Sequence, residues 1–162
     1  MDHIWSPWRM KYIRDPLAPE GCIFCEALKK TDGVENLIIK RGQHAFVILN
    51  RYPYTSGHVM VVPYLHVGTL AELPAEVLAD ILEHIQQSIL AINTVYTPEG
   101  YNVGANLGAV AGAGIAQHLH FHVVPRWGGD TNFMTTISEA RVLPEDLCDT
   151  LRQLRDAWPS SA

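Results

Sequence analysis

The sequence predicts one α+β domain. Three observations point there: five short β-rich runs, helical runs of which one spans several turns, and no strand-helix-strand alternation of the kind that builds a parallel sheet. At 162 residues and 48% hydrophobic content, the chain can bury one substantial core but not two comfortable ones, so residues 1–162 read as a single domain.

In chain order, "WSPWRMKYIRDPLAPEG" has tryptophans and prolines without helical or strand period, so residues 1–20 read as an extended arm with one short helical turn. "CIFCEALKK" reads as a short helix after a cysteine turn. In "GVENLIIKRGQHAFVILN" two apolar runs flank the break "KRGQ", which predicts two antiparallel strands. "RYPYTSGHVMVVPYLH" supplies turn residues and then a third strand ending near Pro63, with His58 at its start and His66 just past its end. Val77, Leu78, Ile81, Leu82, Ile85, Ile89 and Ile92 recur at helical spacing, and Pro74 suits a first turn, so one long amphipathic helix follows. "YNVGANLG" and "QHLHFHVVPRW" read as the last two strands, joined by a glycine-rich segment. "LPEDLCDTLRQLRDAW" reads as a C-terminal helix that buries Cys148 as an apolar residue.

A formal net charge of -5 gives no basic field for a polyphosphate backbone, which argues against extended nucleic acid as a partner. No run of about 18 apolar residues and no basic-headed leader occurs, so a soluble, cytoplasmic protein without a membrane partner is expected.

Alternation on a strand places His118, His120 and His122 on one face and Leu119, Phe121 and Val123 on the other, with the histidines about 7 Å apart along the strand. That spacing flanks one small anion the size of a phosphate. Neutral imidazole is a good nucleophile toward phosphorus, and flanking groups can orient it. A metal cluster fits a bare HxHxH equally well. The two cysteines of "CIFC" have the spacing of a metal or redox pair.

"HLHFHVV" resembles the signature of the histidine triad (HIT) family of nucleotide hydrolases and transferases. "WSPWRMKYI", "LNRYPYTSGHVMVVPYLH", "EGYNVGANLG" and "HVVPRWGGDTNFM" extend the resemblance to a bacterial branch that includes dinucleoside polyphosphate (diadenosine tetraphosphate) phosphorylases and hydrolases. It implies a HIT-like fold: a five-stranded antiparallel sheet with one long and one C-terminal helix, continued across a homodimer, with a tetramer as the larger alternative. It also implies that His120 attacks the α-phosphate to form a nucleotidyl-histidine, that His122 binds phosphate oxygens and helps the leaving group depart, and that His58 stands beside the nucleophile. Asn50 would bind the ribose hydroxyls. Asn106, Gly112, Gly114 and Gln117 would contact phosphate, and Trp127 would lie near a nucleotide that is by resemblance adenine-containing. Many relatives carry a Ser or Thr in the loop here written "AGAGIA", which has no hydroxyl to offer the phosphate or the leaving group.

In zinc-bearing members the site comprises two cysteines of a CxxC, a histidine after the third strand and the first triad histidine. Cys22, Cys25, His66 and His118 occupy those positions, and a filled Cys2His2 set implies one structural zinc per subunit. Three functions follow for testing. The first is cleavage of a dinucleoside polyphosphate with inorganic phosphate or water as acceptor. The second is hydrolysis of a nucleoside phosphoramidate, and the third a non-catalytic nucleotide-binding zinc protein. DNA-end repair by a triad domain would need a basic face or an added nucleic-acid module, and the sequence carries neither.

Overall fold

The computed structural model describes residues 21–130 and 145–160; the expected arm, residues 1–20, and the 131–134 end of the stretch after the triad lie outside the described residues. Within them the chain forms α1 (Ile23–Leu28), β1 (Ile38–Arg41), β2 (Ala45–Leu49), β3 (Val59–Pro63), α2 (Ala75–Tyr96), β4 (Gly100–Gly104), β5 (Phe121–Arg126) and α3 (Leu147–Asp156), with two short 3-10 turns at Leu70–Glu72 and Ala109–Ala111. The five strands make one sheet in the order β1-β2-β3-β5-β4, and every neighbouring pair is antiparallel. The expected α+β architecture is what the chain adopts.

All five positions of β2 and all five of β3 are buried, which is why "AFVIL" and "VMVVP" read as continuous apolar runs and not as alternation. The helix α2 packs on β2 and β3, and α3 packs against α2 and β1. The buried stripe of α2 runs through Val77, Ile81, Ile85, Ala91 and Ile92, while Leu82, expected on it, is 64% exposed. Leu82 sits about 100° round the helix from Ile81, on the flank of a stripe that a globular core keeps narrow. Pro74 is the N-cap, one position ahead of the first turn.

Cys148 is exposed, contrary to its expected burial. It lies in the first turn of α3, ahead of the Thr150, Leu151 and Leu154 face that meets the core. Asp146 caps that turn by accepting the backbone N–H groups of Cys148 (2.7 Å) and Asp149 (2.9 Å).

Two polar knots, one buried and one half-buried, hold the elements in register. Asn36 accepts the N–H groups of Gly33 and Ile38 at 3.1 Å each and donates to the Ala27 carbonyl (3.0 Å) and to Asp32 (2.9 Å), stitching α1 to β1. Glu145 accepts from Tyr96, Thr150 and Gln153, tying the end of α2 to the start of α3. Burial, and then the Glu145 carboxylate, push the Tyr96 hydroxyl well above its ordinary range.

Candidate active site and metal cluster

The sheet order makes β3 and β5 neighbours, with Val59 opposite Val123 and Met60 opposite His122. His58 enters β3 from a closed loop: the Asn50 N–H donates to the His58 carbonyl (3.1 Å), and the His58 N–H to the Thr55 carbonyl (3.2 Å). Gly57 makes the last step at φ +77°, and a Cβ there would stand 3.0 Å from the Tyr96 ring, so both backbone and space require glycine before this histidine.

The triad differs from its expected placement. Only His122 lies within β5; His118, in a bend closed by its N–H to the Ile115 carbonyl, and His120 sit in the approach to it, where main-chain pairing with β3 has not begun. His118 and His120 are as buried as Leu119, at 0% and 6% against 2% exposed, so the approach is enclosed on both sides. The His120 and His122 ring centroids are 5.0 Å apart, with the rings edge to face.

Hydrogen-bond partners assign the tautomers. The Nδ1–H of His120 donates to the backbone carbonyl of His118 (2.9 Å), which leaves Nε2 with the lone pair. A backbone N–H can only donate, so the Tyr54 N–H at 3.1 Å makes His58 Nδ1 an acceptor and puts the His58 proton on Nε2. That Nε2–H donates to His122 Nδ1 (2.9 Å), and His122 in turn carries its proton on Nε2. Nucleophile-type and donor-type imidazoles thus stand side by side.

His118 has the reverse arrangement from His120. Its Nε2–H donates to the Pro63 carbonyl (2.9 Å), and Nδ1 carries the lone pair, 3.2 Å from Cys22 Sγ and 3.7 Å from Cys25 Sγ. His66 Nδ1 lies 3.2 Å from Cys25 Sγ, and the four donor atoms of Cys22, Cys25, His66 and His118 all fall within 4.8 Å of one another. Tetrahedral ligands at zinc distances stand about 3.5 Å apart, so two sulfurs and two imidazole nitrogens at this spacing fit a metal ion. Burial, reinforced by His66 and His120 and opposed by the Pro63 carbonyl, pushes the His118 imidazolium below its ordinary range, which suits a neutral ligand. Burial also raises the Cys25 thiol, with Cys22 adding to it.

The cluster and the triad share backbone. The Leu119 N–H donates to the Val67 carbonyl (2.6 Å), one residue past His66. A Cβ on Gly68 would stand 2.7 Å from the Ala116 carbonyl, so the segment after His66 lies flat on the end of the glycine-rich loop.

Of the other expected contacts, Asn50 joins the histidines. Its oxygen accepts the Tyr52 N–H (3.0 Å), which turns its amide nitrogen toward His58 Nδ1 (3.4 Å). The Asn106 amide donates to the Gly112 carbonyl (3.3 Å), closing the base of the glycine-rich loop, where Gly112 has φ +91°. Gly114 and Gln117 are exposed and Trp127 is half-buried; among the described residues no hydrogen bond joins these three to the histidines. Sequence reasoning missed two aromatics. Phe24, between the two cysteines, is 1% exposed and stands 5.3 Å from the His118 ring and 5.0 Å from the His120 ring. Tyr54 lies 4.6 Å from the His58 ring and 6.0 Å from that of His122. An aromatic inside a CxxC, and another four residues before a loop histidine, were the available signals.

Comparison with known proteins gives a coherent picture. The HIT domain family matches residues 32–129. An AP-4-A phosphorylase of Mycobacterium tuberculosis (strain H37Rv) is 43% identical over 166 residues, covering 98% of this chain and 85% of that protein. An adenosine 5'-monophosphoramidase of Candida albicans is 33% identical over 110 residues, covering 65% of this chain and 70% of its own. Among solved structures, a Zn-bound histidine triad family protein from Mycobacterium smegmatis superposes with a TM-score of 0.67 at 29% identity, covering 85% of this chain and 92% of that one.

Proposed function

The chain belongs to the HIT domain family, and from that premise we infer that it is a nucleotidyl-transferring enzyme that cleaves dinucleoside polyphosphates such as diadenosine tetraphosphate, with inorganic phosphate as acceptor. The observation that carries the reading is the tautomer of His120. With Nδ1–H committed to the His118 carbonyl, Nε2 is the nitrogen that attacks the α-phosphorus. The P–Nε2 bond forms as the P–O bond to the rest of the polyphosphate breaks, and the electron pair leaves on the departing nucleotide's terminal oxygen. The ring becomes cationic, and the His118 carbonyl on Nδ1–H stabilises that charge. His122 offers its Nε2–H to phosphate oxygens, with His58 behind it. Inorganic phosphate then attacks the nucleotidyl-histidine, forming ADP and releasing Nε2.

Asn50 is the ribose contact in this reading. Asn106, Gly112, Gly114 and Gln117 frame the phosphates, and Trp127 flanks a base that the AP-4-A relative makes adenine. Cys22, Cys25, His66 and His118 would hold one zinc ion; with four protein donors its role would be structural, pinning the approach to the triad, and the phosphate chemistry stays with the histidines. Thiols in that role belong in a reducing compartment, the cytoplasm; no helix among the described residues is long and apolar enough to cross a membrane. The β4 strand is a sheet edge with Asn102, Val103 and Gly104 exposed, and α2 exposes Leu82 and Leu90, so a two-fold homodimer through β4 and α2 is the assembly that supports the site.

The test is the product pattern from diadenosine tetraphosphate with and without inorganic phosphate, with His120→Asn as control. ADP plus ATP formed only with phosphate, and lost in the variant, is expected. AMP plus ATP without phosphate makes water the acceptor, and intact substrate in both reactions overturns the polyphosphate reading.

A further inference from the structure

The hydrogen bonds behind His122 bear on which bonds the site can break. Two N–H groups converge on His58 Nδ1: the Tyr54 amide at 3.1 Å and the Asn50 side-chain nitrogen at 3.4 Å, the latter turned there because Asn50 Oδ1 accepts from Tyr52. His58 Nε2–H is donated to His122 Nδ1. The pair has four ring nitrogens. Two already carry protons, His122 Nδ1 receives one from His58, and His58 Nδ1 faces the two donors. An added proton on either ring would have to displace a donor of Tyr54 or Asn50, or the bond between the rings.

A general acid must give up its proton readily near the working pH. The N–H of a neutral imidazole is far too weak an acid for that, so a histidine can act as a general acid only as imidazolium. We propose that Asn50, with the Tyr54 amide, is a specificity-determining positioning residue that keeps the His58–His122 pair a hydrogen-bond donor and not a proton donor, so that the site favours leaving groups that depart unprotonated. A nucleoside polyphosphate leaves on an oxygen that is stable as an anion and needs no proton. The amine of a phosphoramidate must take a proton on nitrogen as the P–N bond breaks. The loop "AGAGIA", without Ser or Thr, supplies no hydroxyl to make up the difference. This inference rests on His120 acting on the α-phosphate, and it narrows that reading to phosphoanhydrides over P–N bonds.

Asn50→Asp replaces the N–H donor facing His58 Nδ1 by a carboxylate oxygen, an acceptor that invites a proton onto that nitrogen. Both test substrates, diadenosine tetraphosphate and adenosine 5'-phosphoramidate, carry the same ribose, so any change in ribose contact cancels in the ratio of their kcat/KM values. Two measurements decide the matter, both on the full chain.

The first is 15N NMR of histidine-labelled wild type near neutral pH. His58 and His122 are expected protonated at Nε2 alone and His120 at Nδ1 alone; a doubly protonated His122, or a proton on His58 Nδ1, overturns the proposal. The second is the P–N to P–O ratio, expected to rise about tenfold or more in Asn50→Asp with His58 Nδ1 now protonated. An unchanged or lower ratio also overturns it. If the wild type cleaves neither substrate, the α-phosphate reading falls with the specificity drawn from it, whereas the wild-type spectrum decides the proton positions without turnover.

Discussion

His58 occupies its position because the residue before it has no side chain. Gly57→Ala combines a positive φ with a Cβ 3.0 Å from the Tyr96 ring, so it is expected to cost about 1–3 kcal/mol in urea unfolding and to lower kcat by displacing His58. An unchanged kcat at reduced stability would show that the loop repositions the ring unaided. Asn36 is 4% exposed and satisfied on both its amide atoms; Asn36→Ala should cost about 2–3 kcal/mol, and because it anchors the helix carrying Cys25 it should also weaken metal retention against a chelator competitor. No sequence pattern marked this asparagine, since apart from Asp32 its partners, the Ala27 carbonyl and the N–H groups of Gly33 and Ile38 among them, are main-chain groups brought to it by the turn.

At the level of elements, the strands and the long helix were legible for different reasons: "AFVIL" and "VMVVP" are short continuous apolar runs, buried on both faces, whereas Val77, Ile81, Ile85 and Ile92 recur at helical period and share one stripe. What period cannot give is where a strand begins to pair. The apolar-His alternation in "QHLHFHVV" starts before Phe121, so the first two histidines read as strand although main-chain pairing with β3 begins only at Phe121. The flank position of Leu82 and the first-turn position of Cys148 were likewise invisible, because spacing does not give the width of a buried face. The four positions of the Cys–His cluster were legible from residue type and resemblance; the tautomers, which decide what each ring can do, needed the geometry.

β1 carries an electrostatic prediction. The Arg41 guanidinium donates twice to Asp32 at 2.7 Å, holding that carboxyl below its usual range, with Asn36 adding to the effect against desolvation. A depressed carboxyl stabilises the fold above its unfolded value of about 3.9, and the contribution is lost as pH falls through the folded value. Arg41→Gln should therefore be less stable than wild type at neutral pH and indistinguishable from it in strong acid, followed as the urea midpoint against pH. A gap that persists in acid would assign the loss to packing of the arginine stem.

For the whole molecule, the exposed β4 edge and the flank of α2 predict the assembly: Val103→Lys should shift a dimer toward monomer in sedimentation equilibrium, with secondary structure retained. Metal removal tests the other long-range tie. One zinc per chain by elemental analysis, and a melting temperature lowered by chelation and restored by zinc, are expected, since a site assembled only in the folded state adds its binding energy to stability.

Those ties also set a timetable. β1, β2 and β3 follow one another along the chain and can pair through short loops, whereas His58 meets His122 across 64 residues and Cys22 meets His118 across 96. Contacts at such separations pay the largest loop-closure entropy and tend to form late. In a refolding experiment followed by pulsed amide hydrogen exchange, the β1, β2 and β3 amides should gain protection first and nucleotide turnover should return last, so a nascent chain passes through a stage with much of its core in place and no chemistry yet available.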